Sequence, residues 1–422
     1  MDFIEQSLVT KRDQSKTKNK SNKKHLSKWA VLALSSIPLV MTLGNSMLIP
    51  VLPVMEDKLN ISSFQSSMII TVYSIVAIVL IPIAGFLSDH IGRKKVIIPS
   101  LIITAIGGLI SGWAAWKMKD PYTIILIGRA LQGIGAAGAA PIVMPLVGDM
   151  FKDEEEISST LGIIETSNTL GKVISPILGA FLATFLWYIP FLAIPVFCLI
   201  SILLMAFFVR RGKTEYEPIP FREFTHQVKK IFKNNGRWLM AIFTIGIILM
   251  FVLFGVLFYL SENLERHYDI VDVKKGLYLA LPLGALCLTS LITGKVIKEN
   301  KVLMKWITFG GLLLLTLSIA ALSFSKGLWF MLIMFLLAGI GIGASLPCLD
   351  TLITEGIQKD QRGTITSIYH SMRFVGVAAG PPVFAVLMKH FEASLFYILS
   401  VIGVISVLLT LVAIKPDKKA AN

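Results

Sequence analysis

Hydrophobic positions along this chain are grouped in long uninterrupted blocks. Apolar runs of about 20 residues, each long enough to cross about 30 Å of hydrocarbon as a helix, recur along nearly the whole sequence. A membrane β-barrel would instead show alternating segments of about ten residues. The pattern therefore predicts an all-α membrane protein with twelve transmembrane helices. The predicted spans are 29–52, 66–88, 96–116, 122–148, 159–184, 187–209, 238–260, 275–297, 303–323, 327–352, 365–389 and 393–414.

The polar interruptions divide these spans into two groups of six. Residues 1–28 form a basic tail that we place in the cytosol, and residues 415–422 form a second cytosolic tail. The longest interruption, 210–237, is basic and contains apolar residues at helical spacing, which predicts an amphipathic helix on the inner membrane surface. We therefore predict six-helix bundles over 29–209 and 238–414.

The two predicted bundles have similar sequences. The stretch GIGAAGAAP at 133–141 resembles GIGIGASLP at 339–347, and SPILGAFLA at 175–183 parallels GPPVFAVLM at 380–388. Both matches have nearly the same separation along the chain, which indicates an internal repeat. We expect two pseudo-symmetric six-helix bundles that can rock against each other around a central site.

Composition and charge support a location in the membrane. The chain is 55% hydrophobic and 16% charged, which is too little polar surface for a soluble globule of 422 residues. Its net charge of +14 arises from basic residues concentrated in the tails and in alternate loops. The positive-inside rule then predicts a multi-pass protein of the cell membrane with both termini in the cytoplasm, and this distribution does not predict nucleic-acid binding.

A charged joint lies between the second and third predicted spans. Its sequence, GFLSDHIGRKKV (85–96), resembles the signature loop of the major facilitator superfamily, although that family usually has an arginine where this chain has His90. The resemblance implies the major facilitator fold over nearly the entire chain. It also implies a gating cluster that holds one conformation, whereas an ordinary positive-inside loop is the alternative. The residues in this cluster are Gly85, Asp89, Gly92 and Arg93, joined by Asp149 from the fourth span.

The fourth span contains an arginine in an apolar setting. The stretch IGRALQGIGAAGAAP (127–141) resembles the fourth-helix motif of the superfamily's drug–proton antiporters. The resemblance implies that Arg129 takes part in proton coupling, and we place Gln132 at the substrate cavity. An intramembrane arginine is costly unless it faces a cavity or a partner, which makes Arg129 a functional candidate by default. A purely structural role in hydrogen bonding is the alternative.

The fifth span resembles the antiporter motif of exporters in this superfamily. Gly171, Pro176 and Gly179 match that motif, whereas Ser175 replaces its usual glycine. The resemblance implies export rather than uptake. These residues would allow close packing and a bend against a helix of the other half, and generic small-residue packing is the alternative.

Polar residues on the fifth and eleventh spans predict a shared cavity. Glu165, Asn168 and Lys172 lie on one face of the fifth helix. His370 and Arg373 follow a similar spacing on its repeat partner. We expect both faces to line one chamber, together with Asn45 of the first helix.

Glu165 is the carboxylate that we expect to carry the proton. A static ion pair between Glu165 and Lys172 is the competing hypothesis, and Asp350 on the tenth helix is a second proton candidate. In the central portions of the spans, Arg129, Lys172 and Arg373 stand against Glu165, which predicts a preference for anionic, zwitterionic or neutral amphiphilic substrates over lipophilic cations.

These features predict a transporter. We expect proton-coupled efflux, by antiport, of small organic compounds or drugs across the cytoplasmic membrane through alternating access. A dedicated exporter or flippase of one metabolite or lipid is an alternative, and an uptake symporter is another. A membrane sensor would need a sizeable soluble domain, and no loop is long enough. We expect a monomer in contact with membrane lipid, with protons as the coupling ion, no cofactor, no metal site and no enzymatic activity.

Overall fold

The computed structural model describes residues 28–151, 154–209, 221–297, 300–325, 327–357 and 362–414. Twelve of the described helices are long and apolar enough to cross a membrane, which confirms the predicted fold class. Their bounds are Lys28–Leu59 (α1), Ser63–Ile91 (α2), Arg93–Lys117 (α3), Tyr122–Met150 (α4), Glu154–Phe185 (α5), Ile189–Phe208 (α6), Phe221–Arg266 (α7), Asp272–Ile297 (α8), Lys301–Ala321 (α9), Leu328–Gly356 (α10), Arg362–His390 (α11) and Leu395–Ala413 (α12).

Two helices differ from the prediction at their ends. Helix α1 continues to Leu59, beyond the predicted end at 52, after a short 3-10 segment over Ile49–Val51. Helix α7 begins at Phe221, so the predicted amphipathic piece is continuous with the seventh span. Residues 1–27, 210–220 and 415–422 lie outside the described residues, and the proposed bundle boundaries stay a prediction.

The helices of the two halves pack in the same scheme. In the first half α4 packs against α2 and α3, and α3 packs against α6. In the second half α10 packs against α8 and α9, and α9 packs against α12. Adding six to each helix number in the first scheme gives the second. The internal repeat predicted from the sequence therefore corresponds to a repeat of helix neighbours.

Glycines at matching positions explain why the two repeats share this packing. A β-carbon on Gly133 of α4 would collide with the backbone carbonyl of Tyr73 in α2. A β-carbon on Gly339 of α10 would collide with the carbonyl of Pro282 in α8 in the same way. Only a residue without a side chain lets these helices approach so closely.

Two seams join the halves along their length. At the first seam α2 packs against α11, where the hydroxyl of Thr71 donates to the carbonyl of Ala378 at 2.8 Å and that of Ser371 donates to Ile78 at 2.6 Å. At the second seam α5 packs against α8. The α1–α2, α3–α4 and α7–α8 turns lie together at one end of the molecule, which we call the α1–α2 end, and the α2–α3 turn lies at the opposite, α2–α3 end.

The halves are in contact at the α1–α2 end. The hydroxyl of Ser261 in α7 donates to the carbonyl of Ile49 in α1 at 3.0 Å. Gly276 of α8 lies directly against the backbone of Pro176 in α5. These contacts close the α1–α2 end between the two bundles.

Gly179 tests the close packing of α5 on α1, because a β-carbon there would collide with the backbone carbonyl of Met47. We expect Gly179→Ala to lower the free energy of unfolding of the purified protein by about 1–3 kcal/mol, the usual cost of overpacking, and so to lower its unfolding temperature. Gly162→Ala on the same helix is the matched control, since nothing lies within 4 Å of that β-carbon. Thermal unfolding in detergent measures both, and equal stability of the two variants would contradict the packing described here.

Candidate transport cavity

A cavity lies between the two halves. Helices α1, α2, α4 and α5 line it from the first half, and α7 and α11 line it from the second half. Its volume is about 160 Å³. The aromatic side chains in its wall are Tyr73, Phe254 and Phe374. The polar and charged side chains are Thr42, Asn45, Ser46, Glu165, Asn168, Lys172, His370 and Arg373.

The position of the cavity along the helices indicates where it leads. On α4 its lining begins at Ala136 and ends at Met144, which is the part of that helix nearer the α2–α3 end. On α11 the lining starts at His370, eight residues from the first residue of the helix at the same end. Because the α1–α2 end is closed, the cavity extends from the middle of the molecule toward the α2–α3 end.

The polar face of α5 lies in this cavity, as the sequence predicted. Asn168 accepts a hydrogen bond from the hydroxyl of Thr42 in α1 at 2.6 Å and donates to the carboxylate of Glu165 at 3.4 Å. Among the described residues, no ion pair involves Glu165 or Lys172. The static ion pair that the sequence left open is therefore absent, and both groups face the cavity separately.

The cation on α11 has a partner. Arg373 forms an ion pair with Asp350 of α10 at 3.3 Å, and its guanidinium also lies 5.6 Å from the ring centre of Tyr369. Asp350 itself is not among the residues that line the cavity, and 38% of its side chain is exposed. The second proton candidate thus adjoins the cavity through Arg373.

Arg129 is fully buried behind the cavity wall. Its guanidinium donates to the carbonyls of Ile69 at 2.8 Å and Gly44 at 3.0 Å and to the side-chain oxygen of Asn45 at 2.8 Å. It also lies 4.5 Å from the ring centre of Tyr73. Within the described part of the chain its hydrogen-bond acceptors are all neutral. Arg129 therefore fastens α4 to α1 and α2, and its role in proton coupling stays a prediction.

The structure corrects one prediction about the cavity. Gln132 does not line it, because its side chain points into the packing between helices and its oxygen accepts from Arg129. Arg129 also lies outside the lining, so the cations that line the cavity are Lys172 and Arg373, beside the carboxylate Glu165. The predicted surplus of positive charge therefore rests on these two cations, and the ion pair with Asp350 reduces the share of Arg373.

The gating cluster assembles at the α2–α3 end, within the first half. Arg93 at the start of α3 forms ion pairs with Asp149 of α4 at 2.5 Å and with Asp89 of α2 at 3.2 Å. Gly92 between the two helices has φ +98°, a conformation that other residues rarely adopt. Gly85 faces Ser367 of α11 in the other half.

The antiporter motif packs differently from its prediction. Gly179 lies against Met47 and Gly171 lies near Leu39 and Thr42, so both glycines pack on α1 of their own half. Pro176 lies against Gly276 of α8, so this part of the motif meets the other half as expected. Ser175, in place of the usual glycine, is buried and its hydroxyl donates to the carbonyl of Lys172 at 3.3 Å.

A cavity between two similar six-helix bundles, closed at one end, defines the class of the protein: a membrane transporter rather than an enzyme. A family model of the Major Facilitator Superfamily matches residues 34–381 and 304–422. This chain belongs to the Major Facilitator Superfamily.

Relatives and a solved structure agree with this assignment. The chain is 54% identical over 389 residues to the bacillibactin exporter of Bacillus subtilis, covering 92% of this chain and 97% of that protein. It is 25% identical to the class C tetracycline resistance protein of Escherichia coli, covering 80% and 84% of the two chains. The crystal structure of a bacterial homologue of the human lysosomal transporter Spinster, inward-facing and occupied, has a TM-score of 0.74 at 17% identity and covers 92% of this chain and 96% of that chain.

Replacing Arg129 distinguishes a structural from a purely functional role. Arg129→Ala leaves several buried acceptors without a donor, each costing about 1–3 kcal/mol. We expect most of the variant to be lost from the folded fraction in size-exclusion chromatography after mild heating. Arg237→Ala, at an exposed arginine of α7, is the control and should behave as the unmodified protein. A fully stable Arg129→Ala protein that has lost only transport would contradict the structural role.

Proposed function

We propose that this protein exports a siderophore, bacillibactin or a closely similar compound, across the cytoplasmic membrane. The observation that carries this proposal is the 54% identity to the bacillibactin exporter, which extends over 97% of that relative. The matched region covers 92% of this chain, so it extends over helices that line the cavity. The similarity to a drug resistance protein is much lower, at 25%.

This similarity favours one of the alternatives over the main expectation from the sequence. The motifs favour efflux of drugs, with a dedicated metabolite exporter as an alternative. Because the more similar relative is named for one metabolite, we place this chain with dedicated exporters. Export, in either case, agrees with the direction implied by the resemblance of α5 to the antiporter motif.

The chemistry of the cavity supports a polar substrate. Lys172 presents an ammonium group without an ion-pair partner among the described residues, so it can bind an oxygen acceptor or a negative group of a substrate. Tyr73 and Phe374 lie side by side, with ring centres 6.4 Å apart, and offer an aromatic surface in the same cavity. Because the volume of about 160 Å³ is below the roughly 300–1,000 Å³ of pockets for drug-sized ligands, the halves must separate further to admit a siderophore.

Glu165 supports a proton-coupled cycle. It lies on the same helix as Lys172, about 10 Å of helical rise away, and it forms no ion pair among the described residues. When Glu165 is ionised, it can accept charge-assisted hydrogen bonds from the donor groups of a substrate whose oxygen atoms bind Lys172. A proton on Glu165 weakens these hydrogen bonds, so the proton and the substrate compete for the cavity. A pH gradient can therefore drive the exchange of one for the other between the two orientations of the cavity.

The proposed orientation follows from the basic residues of the sequence. We place both termini and the α2–α3 end in the cytoplasm of the cell, and the α1–α2 end outside. The conformation described here is then inward-facing, since its closed end is the external one. A substrate made in the cytoplasm could reach the cavity from this state.

Transport into lipid vesicles that contain the purified protein tests the proposed function. Purified protein in vesicles with an acidic interior should accumulate bacillibactin, measured by mass spectrometry, and collapse of the pH gradient should abolish the accumulation. Glu165→Gln should retain binding of bacillibactin but lose its response to the gradient, because the group that exchanges a proton is gone. Glu156→Gln, an exposed position on the same helix, is the matched control and should respond as the unmodified protein.

Two results would contradict parts of this proposal. Strong accumulation of tetracycline or ethidium together with none of bacillibactin would replace the dedicated exporter with a drug pump. Accumulation of bacillibactin by Glu165→Gln with an unchanged response to the gradient would remove Glu165 from the coupling mechanism.

A further inference from the structure

A second group of charged residues joins the halves, far from the cavity. At the α1–α2 end, Arg266 at the end of α7 bonds Glu56 of α1 and Glu262 of α7, each at 2.9 Å, and lies 3.4 Å from Asp57 of α1. We call these four residues the seam cluster, and in this subsection the seam is the contact between α1 and α7 that they bridge. Because α1 and α7 belong to different halves, this cluster holds the α1–α2 end closed and must separate when that end opens.

The seam cluster has more carboxylates than cations. Three carboxylates share one guanidinium, and two of them, Glu56 and Glu262, expose only 4% of their side chains. The two neighbouring buried carboxylates repel each other. Burying two anions beside a single cation is costly, because each loses its hydration and only part of the charge is compensated.

The partners of the two buried carboxylates differ. Glu56 is saturated, since the hydroxyls of Ser66 and Ser63 in α2 donate to it at 2.5 Å and 2.8 Å in addition to Arg266. Glu262 receives Arg266 on one oxygen, whereas its other oxygen, Oε1, is buried without a hydrogen-bond partner in the described chain. A proton bound at this oxygen would remove the negative charge of Glu262.

The surrounding charges do not remove the imbalance. On α8 the ammonium of Lys275 is bound by Glu265 of α7 and is also attracted to Glu262, and Asp272 adds a further negative charge near it. Even with Lys275 counted, the carboxylates around the cluster outnumber the cations. The carboxylate of Glu392, before α12, interacts electrostatically with Tyr259 of α7. Helix α2 contributes the two serines that bind Glu56 and no charged partner to the cluster among the described contacts.

We propose that Glu56 and Glu262 together form a proton-binding site that controls the closure of the α1–α2 end. With one proton on the pair, only one buried carboxylate remains ionised beside Arg266 and the closed seam is stable. Without that proton, two buried anions compete for one guanidinium, and separating α1 from α7 lets water hydrate both. Proton binding therefore favours the closed seam, and proton release favours its opening.

This site acts on a different step from Glu165 and does not depend on the identity of the substrate. In the proposed orientation the seam cluster faces the outside of the cell. A low external pH would then close the outer end and return the empty transporter to its inward-facing state. The proton would assist the cycle at the gate as well as in the cavity.

Distance measurements across the seam test this proposal without any substrate. Spin labels at Lys119→Cys in the α3–α4 turn and Val271→Cys before α8, both exposed positions, report the separation of the halves at this end. The background replaces the three native cysteines, Cys198, Cys287 and Cys348, by alanine. The labelled protein is placed in lipid nanodiscs and pulsed electron paramagnetic resonance distances are recorded from acidic to alkaline pH.

The proposal predicts that the population with the short distance decreases as the pH rises. Glu262→Gln should lose this dependence and keep the short distance at every pH, because a neutral amide replaces the protonated acid. Glu56→Gln provides a second variant with the same expected loss. Glu165→Gln should keep the dependence of the unmodified protein, which separates the seam from the cavity.

Three results would overturn the proposal. The unmodified protein could show the same distances at all pH values. Glu262→Gln and Glu56→Gln could both keep the pH dependence. Glu165→Gln could abolish the dependence by itself, which would assign the whole response to the cavity.

Discussion

A charged side chain inside a membrane is costly unless it is paired, hydrogen-bonded or in contact with water, and this constraint organises the protein. Arg129 meets it with neutral acceptors from two neighbouring helices, α1 and α2. Arg373 meets it with Asp350. Glu165 and Lys172 meet it by facing the cavity between the halves. These two charges, which form no ion pair among the described residues, therefore mark the place where we propose that a substrate and a proton act.

The charged clusters at the two ends of the molecule have different consequences for its motion. The cluster around Arg93 lies within the first half, where it fixes α2, α3 and α4 to one another. The cluster around Arg266 crosses between the halves and closes the α1–α2 end. Rocking of one bundle against the other would preserve the first cluster and break the second, so the energy of the seam contributes directly to the conformational equilibrium.

Run length and helical spacing in the sequence predicted much of this structure. Apolar runs gave the twelve spans, and the spacing of Glu165, Asn168 and Lys172 identified the face of α5 that lines the cavity. Contacts between distant segments could not be predicted in this way. The orientation of Gln132 depends on how α4 is rotated against its neighbours, and the cluster of Glu56 and Arg266 joins two helix ends that resemble ordinary loop charges in the sequence.

Lys172 lies in a chamber between the two halves, and we expect this chamber to be open to water. Reaction of Lys172→Cys with a hydrophilic, membrane-impermeant thiol reagent tests it most directly, with Ile174→Cys on the exposed, apolar side of α5 as the control. We predict that position 172 reacts when the reagent has access to the cytoplasmic side, that bound bacillibactin slows the reaction, and that position 174 stays unreactive. Equal reactivity at the two positions, or none at position 172 from either side of the membrane, would contradict the claim.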